Sequence, residues 1–101
     1  MSHSIVLSPE ARAQLEALYD HVSQAASHVT ALKFTNAILD HVAALRDFPM
    51  RGVARDDILP GLRTLGFRRR VTIAFMVEPS TLLVVGLFYG GQDFETLLRE
   101  D

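Results

Sequence analysis

Apolar positions recur along this chain with two different periods, and the change of period divides it in two. Residues 4–7, Ser-Ile-Val-Leu, form a short run that reads as a first strand. Ser8-Pro9-Glu10 then carries a helix start. Ser8 offers a hydroxyl to the first free amides, Pro9 suits the first helical position, and Glu10 complements the helix dipole. Ala11, Leu15, Leu18 and Val22 follow at helical spacing, so a first helix is expected to reach Gln24. The segment Ala25–His28 is the expected break, although its composition does not force a turn. A second helix, from Val29 or Thr30 to Arg46, presents Ala31, Phe34, Ile38, Val42 and Leu45 on one face. Pro49 ends this region by disfavouring helical geometry at Phe48.

From Leu62 onward the period is two. Strands are expected at Leu62–Phe67, Arg70–Val77 and Leu82–Tyr89, with Glu78-Pro79-Ser80-Thr81 as the turn between the last two. In the middle strand Val71, Ile73, Phe75 and Val77 alternate with Thr72, Ala74 and Met76. The last strand is apolar on both faces, Leu83, Val85 and Leu87 on one and Leu82, Val84 and Phe88 on the other. That is the pattern of a central strand covered on both sides. Gly90-Gly91 is expected to turn at positive φ into a short helix from Gln92 to Arg99. The fold class is therefore α+β. An N-terminal strand and a helical hairpin pack on an antiparallel sheet, and a short C-terminal helix follows, all in one domain over residues 1–101.

Composition changes this picture in two ways. Hydrophobic residues make up 49% of the chain, and the surplus lies in the last strand and in a second row on the second helix, Leu32, Leu39 and Ala43. Such rows are the kind of surface that a partner covers. Cysteine is absent, which excludes disulfides and thiolate chemistry and suits a reducing cytoplasm. The N-terminal residues lack a basic segment followed by an apolar one, so no secretory signal is expected. The longest apolar run, Leu82–Tyr89, is too short to cross a bilayer, and no membrane partner is expected.

Net charge is −2, yet seven of the ten basic residues fall between 46 and 70: Arg46, Arg51, Arg55, Arg63, Arg68, Arg69 and Arg70. Only Asp47, Asp56 and Asp57 oppose them there. Two readings are open, a solvated loop and strand edge, or an electropositive patch for an acidic partner or phosphate. Arginine favours planar, bidentate contacts over a diffuse cloud of charge. His3, His21, His28 and His41 lack metal-ligand spacing, Asp56-Asp57 read as exposed loop acids, and Gly90-Gly91 is not followed by a phosphate-loop pattern. No catalytic residue, metal or cofactor is expected.

Four pieces are more specific: S-P-E-A opening the first helix, the loop F-P-x-R-G-x-x-R-D-D-I-x-P-G-L-R, the strand V-x-I-x-F, and the tail Y-G-G-Q-D-F-E-T-L-L. Together they cover almost the whole chain, and it resembles the RelE/ParE superfamily of bacterial toxins. The resemblance implies a toxin of a type II toxin–antitoxin pair, neutralised by direct protein contact. RelE-like members cut messenger RNA on the ribosome with a catalytic arginine in the middle strand. Here Thr72 stands at that position, and Gly91-Gln92 stand where a second basic residue often follows the last strand. Neither threonine nor glutamine supplies the cation that a phosphorane-like transition state needs. The P-G-L-R loop is closer to the ParE side. The resemblance therefore implies a ParE-like toxin that binds DNA gyrase, pairs with a ParD-like antitoxin and binds no nucleic acid sequence-specifically. A nuclease using Arg63 and Arg70 is the second reading, and an inert antitoxin-binding partner the third. Arg51, Arg55, Arg63, Arg70, Gln92 and Asp93 are the candidate target or antitoxin contacts. Arg63 either pairs with a nearby acid such as Asp93 or faces the target.

Overall fold

Serine caps start both long helices. In the computed structural model, which describes residues 3–90 and 94–99, β1 (Ser4–Leu7) leads into α1 (Pro9–Ala25), and the Ser8 hydroxyl accepts the Ala11 N–H at 3.0 Å. Ser27 does the same for α2 (His28–Ala43), accepting the Thr30 N–H at 3.1 Å. This cap places the helical break, which Ala25–His28 leaves undetermined as a composition. A single 3₁₀ turn, Ala44–Arg46, follows α2.

The remaining elements are β2 (Val53–Ala54), β3 (Leu62–Phe67), β4 (Val71–Val77), β5 (Thr81–Tyr89) and α3 (Phe94–Arg99). They form one sheet in the order β1-β5-β4-β3-β2. The expected α+β layout holds, with two additions. β1 lies parallel to β5, pairing Ser4–Leu7 with Thr81–Val84, so the sheet is mixed rather than antiparallel throughout. A parallel neighbour needs a long crossover, and the whole intervening chain supplies it. β2 was not expected, because two residues show no period. It pairs with Arg63 and Thr64 at the sheet's other edge.

One further difference lies inside β5. Opposite β4, Ala74 pairs with Gly86 and Phe75 with Val84, so Val85 is an extra residue, a β-bulge. The bulge shifts the alternation by one. Leu82, Val84 and Leu87 all face the helices, whereas Val85 and Phe88 face the other side. The simple alternation expected from sequence, with Leu87 beside Leu83 and Phe88 beside Leu82, is thereby overturned beyond Val85.

Two cores result. On the helix side Ala11, Leu18, Ile38, Val42 and Leu45 pack on Val71, Ile73, Phe75, Leu82, Val84 and Leu87. On the other side Ile58, Leu62, Ala74 and Phe88 are covered by Leu59, Met76, Val85, Phe94 and Leu98, supplied in part by α3 and the loop before β3. The last strand is therefore covered on both faces, as its composition predicted. It leaves little apolar surface for a partner, and in that respect the expectation from its apolar run is corrected.

The loop entering β2 turns at Gly52, whose φ is +82°. A Cβ there would sit 2.3 Å from the Thr64 carbonyl oxygen, a backbone atom held in the sheet. Gly52→Ala is expected to lower stability by roughly 2 kcal/mol or more, from left-handed strain and this clash together. A urea midpoint equal to that of the wild type would contradict the close approach.

Candidate functional site

The arginine-rich segment divides into residues that hold the fold and residues that face solvent. Arg63 lies on β3 with its side chain turned toward the loop that follows the helices. Its Nε donates to the Arg51 carbonyl at 3.1 Å, and one terminal nitrogen donates to the carbonyls of Met50 at 2.6 Å and Gly52 at 3.3 Å. One guanidinium thus organises three consecutive carbonyls of a loop that has no regular structure of its own. Among the described residues its hydrogen-bond partners are these carbonyls, which tie the loop to β3. Asp93, the acid that the sequence offers as a partner, lies outside the described residues, as does Gln92.

Arg55 was expected as a surface contact, and the structure engages it internally. Its guanidinium forms a bidentate pair with Asp57, at 3.0 and 2.9 Å, and also bonds the Glu95 carboxylate on α3. It lies over the Phe94 ring, 5.8 Å from the centroid. The hydrogen bond to Asp57, then that to Glu95, raise its pKa well above the ordinary arginine value. A raised value means that this contribution to stability is fully present below the ordinary arginine pKa and is lost only above it, so it is constant over physiological pH. Arg55 thus ties α3 to the loop before β3. That loop is closed by Leu59-Pro60-Gly61-Leu62, in which Leu62 N–H donates to the Leu59 carbonyl at 3.1 Å and Gly61 has a φ of +84°. Proline followed by a positive-φ glycine is the chemistry of a type II turn. Asp56 steadies it by accepting the Gly61 N–H at 2.8 Å.

Arg51 and Arg70 remain on the surface, without an acid partner among the described residues. Arg51 stands between exposed Phe48, Met50 and Val53. Arg70 lines an open cavity of about 230 Å³ with His21, Val22, Ala25, Ala26, Thr30, Phe34 and Tyr89. Arg63 lies near the start of β3 and Arg70 in the turn beyond its end, and the four residue steps from Arg63 to Phe67 alone span roughly 13 Å.

Sequence reasoning found one row of the helical hairpin's outer face and missed the groove beside it. Leu32 and Leu39 are 46% and 38% exposed, and Val29, which starts the same row, is 59% exposed. Leu15, Glu16, Tyr19, Thr35 and Leu39 line a shallow groove of about 210 Å³ between α1 and α2. Leu15 fits the inner periodicity of α1, so nothing in its spacing separates groove from core. The Arg55–Glu95 contact was also missed, because it joins residues forty positions apart with no local pattern. Thr72 lies half-buried on β4, on the face covered by α3, opposite Gly66 and Phe88. Among the described residues no group of three or more His, Asp or Glu is placed to hold a metal, and no helix is long and apolar enough to cross a membrane.

Residues 5–94 match the sequence model of a family described as the ParE toxin of type II toxin–antitoxin system, parDE. The chain belongs to the ParE toxin family. No curated protein matches it by sequence. Its fold is similar to a solved chain from the chromosomal ParDE toxin–antitoxin system of P. aeruginosa, at 27% identity and a TM-score of 0.76, covering 88% of this chain and 97% of that one. The family match takes in β1 from Ile5, α1, α2 and β2 to β5, and it ends at Phe94, where α3 begins. In this ParE-family chain the sheet face opposite the helical hairpin carries an apolar cluster around Ala74 and Phe88 beside Thr72, and the Arg55 guanidinium next to it is held by two carboxylates.

Arg55→Gln is expected to free α3 from the loop while leaving the helix-side core intact. Hydrogen exchange would then quicken at the amides of Phe94–Arg99 and stay unchanged in α1 and α2. Unaltered protection in α3 would show that Phe94 and Leu98 hold it without the ion pair.

Proposed function

We propose that this ParE-family chain arrests growth by binding DNA gyrase, and that a ParD-like antitoxin neutralises it by covering the outer face of the helical hairpin. The chain acts by contact and not by catalysis. The observation that carries this reading is the state of the sheet face on which Thr72 lies. A phosphate-cleaving site needs cations converging on one phosphorus. Here that face is packed with Ile58, Leu62, Ala74 and Phe88, and Arg55 beside it is bound to Asp57 and Glu95. Arg63 directs its Nε and one terminal nitrogen to three carbonyls, and Arg70 lies in the turn beyond the far end of β3. The nuclease reading would have to bring these two together.

The antitoxin's place is supported by chemistry. Val29, Leu32 and Leu39 make an apolar row at helical spacing, beside a groove floored by Leu15 and Thr35. An amphipathic segment that orders on binding would bury that row and gain the apolar contacts that offset its ordering. On the target side, Arg51 projects from a loop that Arg63 holds rigid, flanked by exposed Phe48 and Met50. A preorganised loop with one cation and apolar neighbours loses little entropy when it docks.

Induction of the chain without its antitoxin separates the readings. DNA-damage signalling and filamentation, with inhibition of purified gyrase in a supercoiling assay, are the expected results. Discrete cleaved messages in a translating extract would establish the nuclease instead, and unaffected growth the inert partner. Leu32→Asp with Leu39→Asp should leave the circular dichroism spectrum unchanged and weaken antitoxin binding at least roughly 30-fold, the scale of one lost hot spot. Undiminished binding would move the antitoxin to another surface. Arg51→Glu should abolish toxicity while antitoxin binding persists, and a folded, fully toxic Arg51→Glu would remove this loop from the target interface.

A further inference from the structure

The turn between β3 and β4 holds arginine in a conformation that arginine disfavours. The Arg70 N–H donates to the Phe67 carbonyl at 3.0 Å, closing a tight turn around Arg68 and Arg69. These two residues have φ of +51° and +59°, and among the described residues they are the only positive-φ positions that are not glycine. A hairpin turn with both central residues in the left-handed region is ordinarily Asn-Gly or a close relative. Arginine has no short polar side chain to bond locally there, so its backbone is strained. Three adjacent like charges add repulsion, and among the described residues no carboxylate pairs with Arg68, Arg69 or Arg70. All three residues are exposed and none contributes to either core. Arg68 lies over the Phe67 ring, 4.9 Å from the centroid, which sets its guanidinium in place before any partner arrives. Strain kept where packing does not require it points toward function.

We propose that the Arg68-Arg69-Arg70 tip is a contact for the phosphate backbone of duplex DNA. Guanidinium forks match phosphate oxygens bidentately, and a convex tip lies against neighbouring phosphates along a strand. Such contacts position a protein without reading bases. An acidic peptide fits less well. The apolar surface such a peptide would use, the cavity of Val22, Ala25, Ala26 and Phe34, is shared with Arg70 alone, while Arg68 and Arg69 stand on the convex turn outside it. With a net charge of −2, the chain as a whole adds no attraction for DNA, so binding of free duplex is weak and depends on this local cluster. The tip is a local contact that adds to those made with a protein already holding DNA. The inference rests on the topoisomerase reading only for where the DNA is met. Its test needs no topoisomerase, so the two fail separately.

The measurement is fluorescence anisotropy of a labelled random-sequence duplex of about 20 base pairs, titrated with the full chain from about 50 to about 200 mM salt. Three phosphate contacts give a slope of about −2.7 in log affinity against log salt, a weakening of roughly 40-fold over that range. The variant carrying Arg68→Asn, Arg69→Gly and Arg70→Gln should lose this binding while its melting temperature stays level or rises, because Asn-Gly suits the turn. A variant with lysine at all three positions should keep the salt slope. Three outcomes would overturn the proposal: no salt-dependent binding by the wild type, equal binding by the Asn-Gly-Gln variant, or competition by polyglutamate as strong as by DNA, which would assign the tip to an acidic protein.

Discussion

One extra residue in β5 decides how this fold closes. Without the bulge at Val85, strict alternation would turn Leu87 away from the helices and Phe88 toward them. With it, Leu82, Val84 and Leu87 face α1 and α2 along the whole strand, and Phe88 is free to pack on Phe94, their ring centroids 6.0 Å apart. Gly86 makes this possible, because a Cβ there would sit 2.4 Å from the Phe88 ring. Beyond the bulge β5 has no neighbouring strand on the β1 side, since β1 pairs only with Thr81–Val84. Side chains of α1 and its cap take over: Gln14 accepts the Leu87 N–H at 2.8 Å, and the Ser8 hydroxyl donates to the Val85 carbonyl at 3.3 Å. The same short segment therefore joins the two cores and finishes the sheet edge.

Elements with a sustained period were legible in the sequence, and those without one were not. β3 runs from Leu62 to Phe67 as expected, and α1, α2, β4 and β5 differ by a few residues at their ends. Gly90 takes the positive φ expected of it, and Gly91 lies outside the described residues. The two-residue β2 and the bulge were invisible, because each departs from the pattern that would reveal it. The site was less legible than the fold. A guanidinium's task depends on which oxygens the fold brings near it, and Arg55 and Arg63 find theirs in Glu95 and in the 50–52 carbonyls. Sequence shows that arginines cluster. It does not show which of them the fold consumes.

That division gives the charged segment its physical sense. Arg55 and Arg63 act at short range on fixed partners, stiffening a loop and an attached helix. Arg51 and the three arginines of the hairpin tip have no such partners among the described residues and keep their capacity for another molecule. The sequence motif that carries the family resemblance, from Phe48 to Arg63, mixes both kinds. A charge substitution inside it therefore tests stability at one position and recognition at the next, and the two must be read separately.

The helix that carries the apolar row also reaches the arginine tip at its N-terminal end. Val29, Leu32 and Leu39 run along α2 toward its N-terminus, a span of about 15 Å at the helical rise. That terminus meets the hairpin tip, since Thr30, Ala25, Ala26 and Arg70 line one cavity. On the proposed reading, a single antitoxin segment that follows the row from Leu39 to Val29 arrives beside the arginines. It would neutralise the chain by occupying the approach to the tip, with no change of conformation required. The row itself does not line that cavity, but Thr30 and Phe34 of α2 do, so a segment continuing past Val29 to this end of the helix would crowd Arg70.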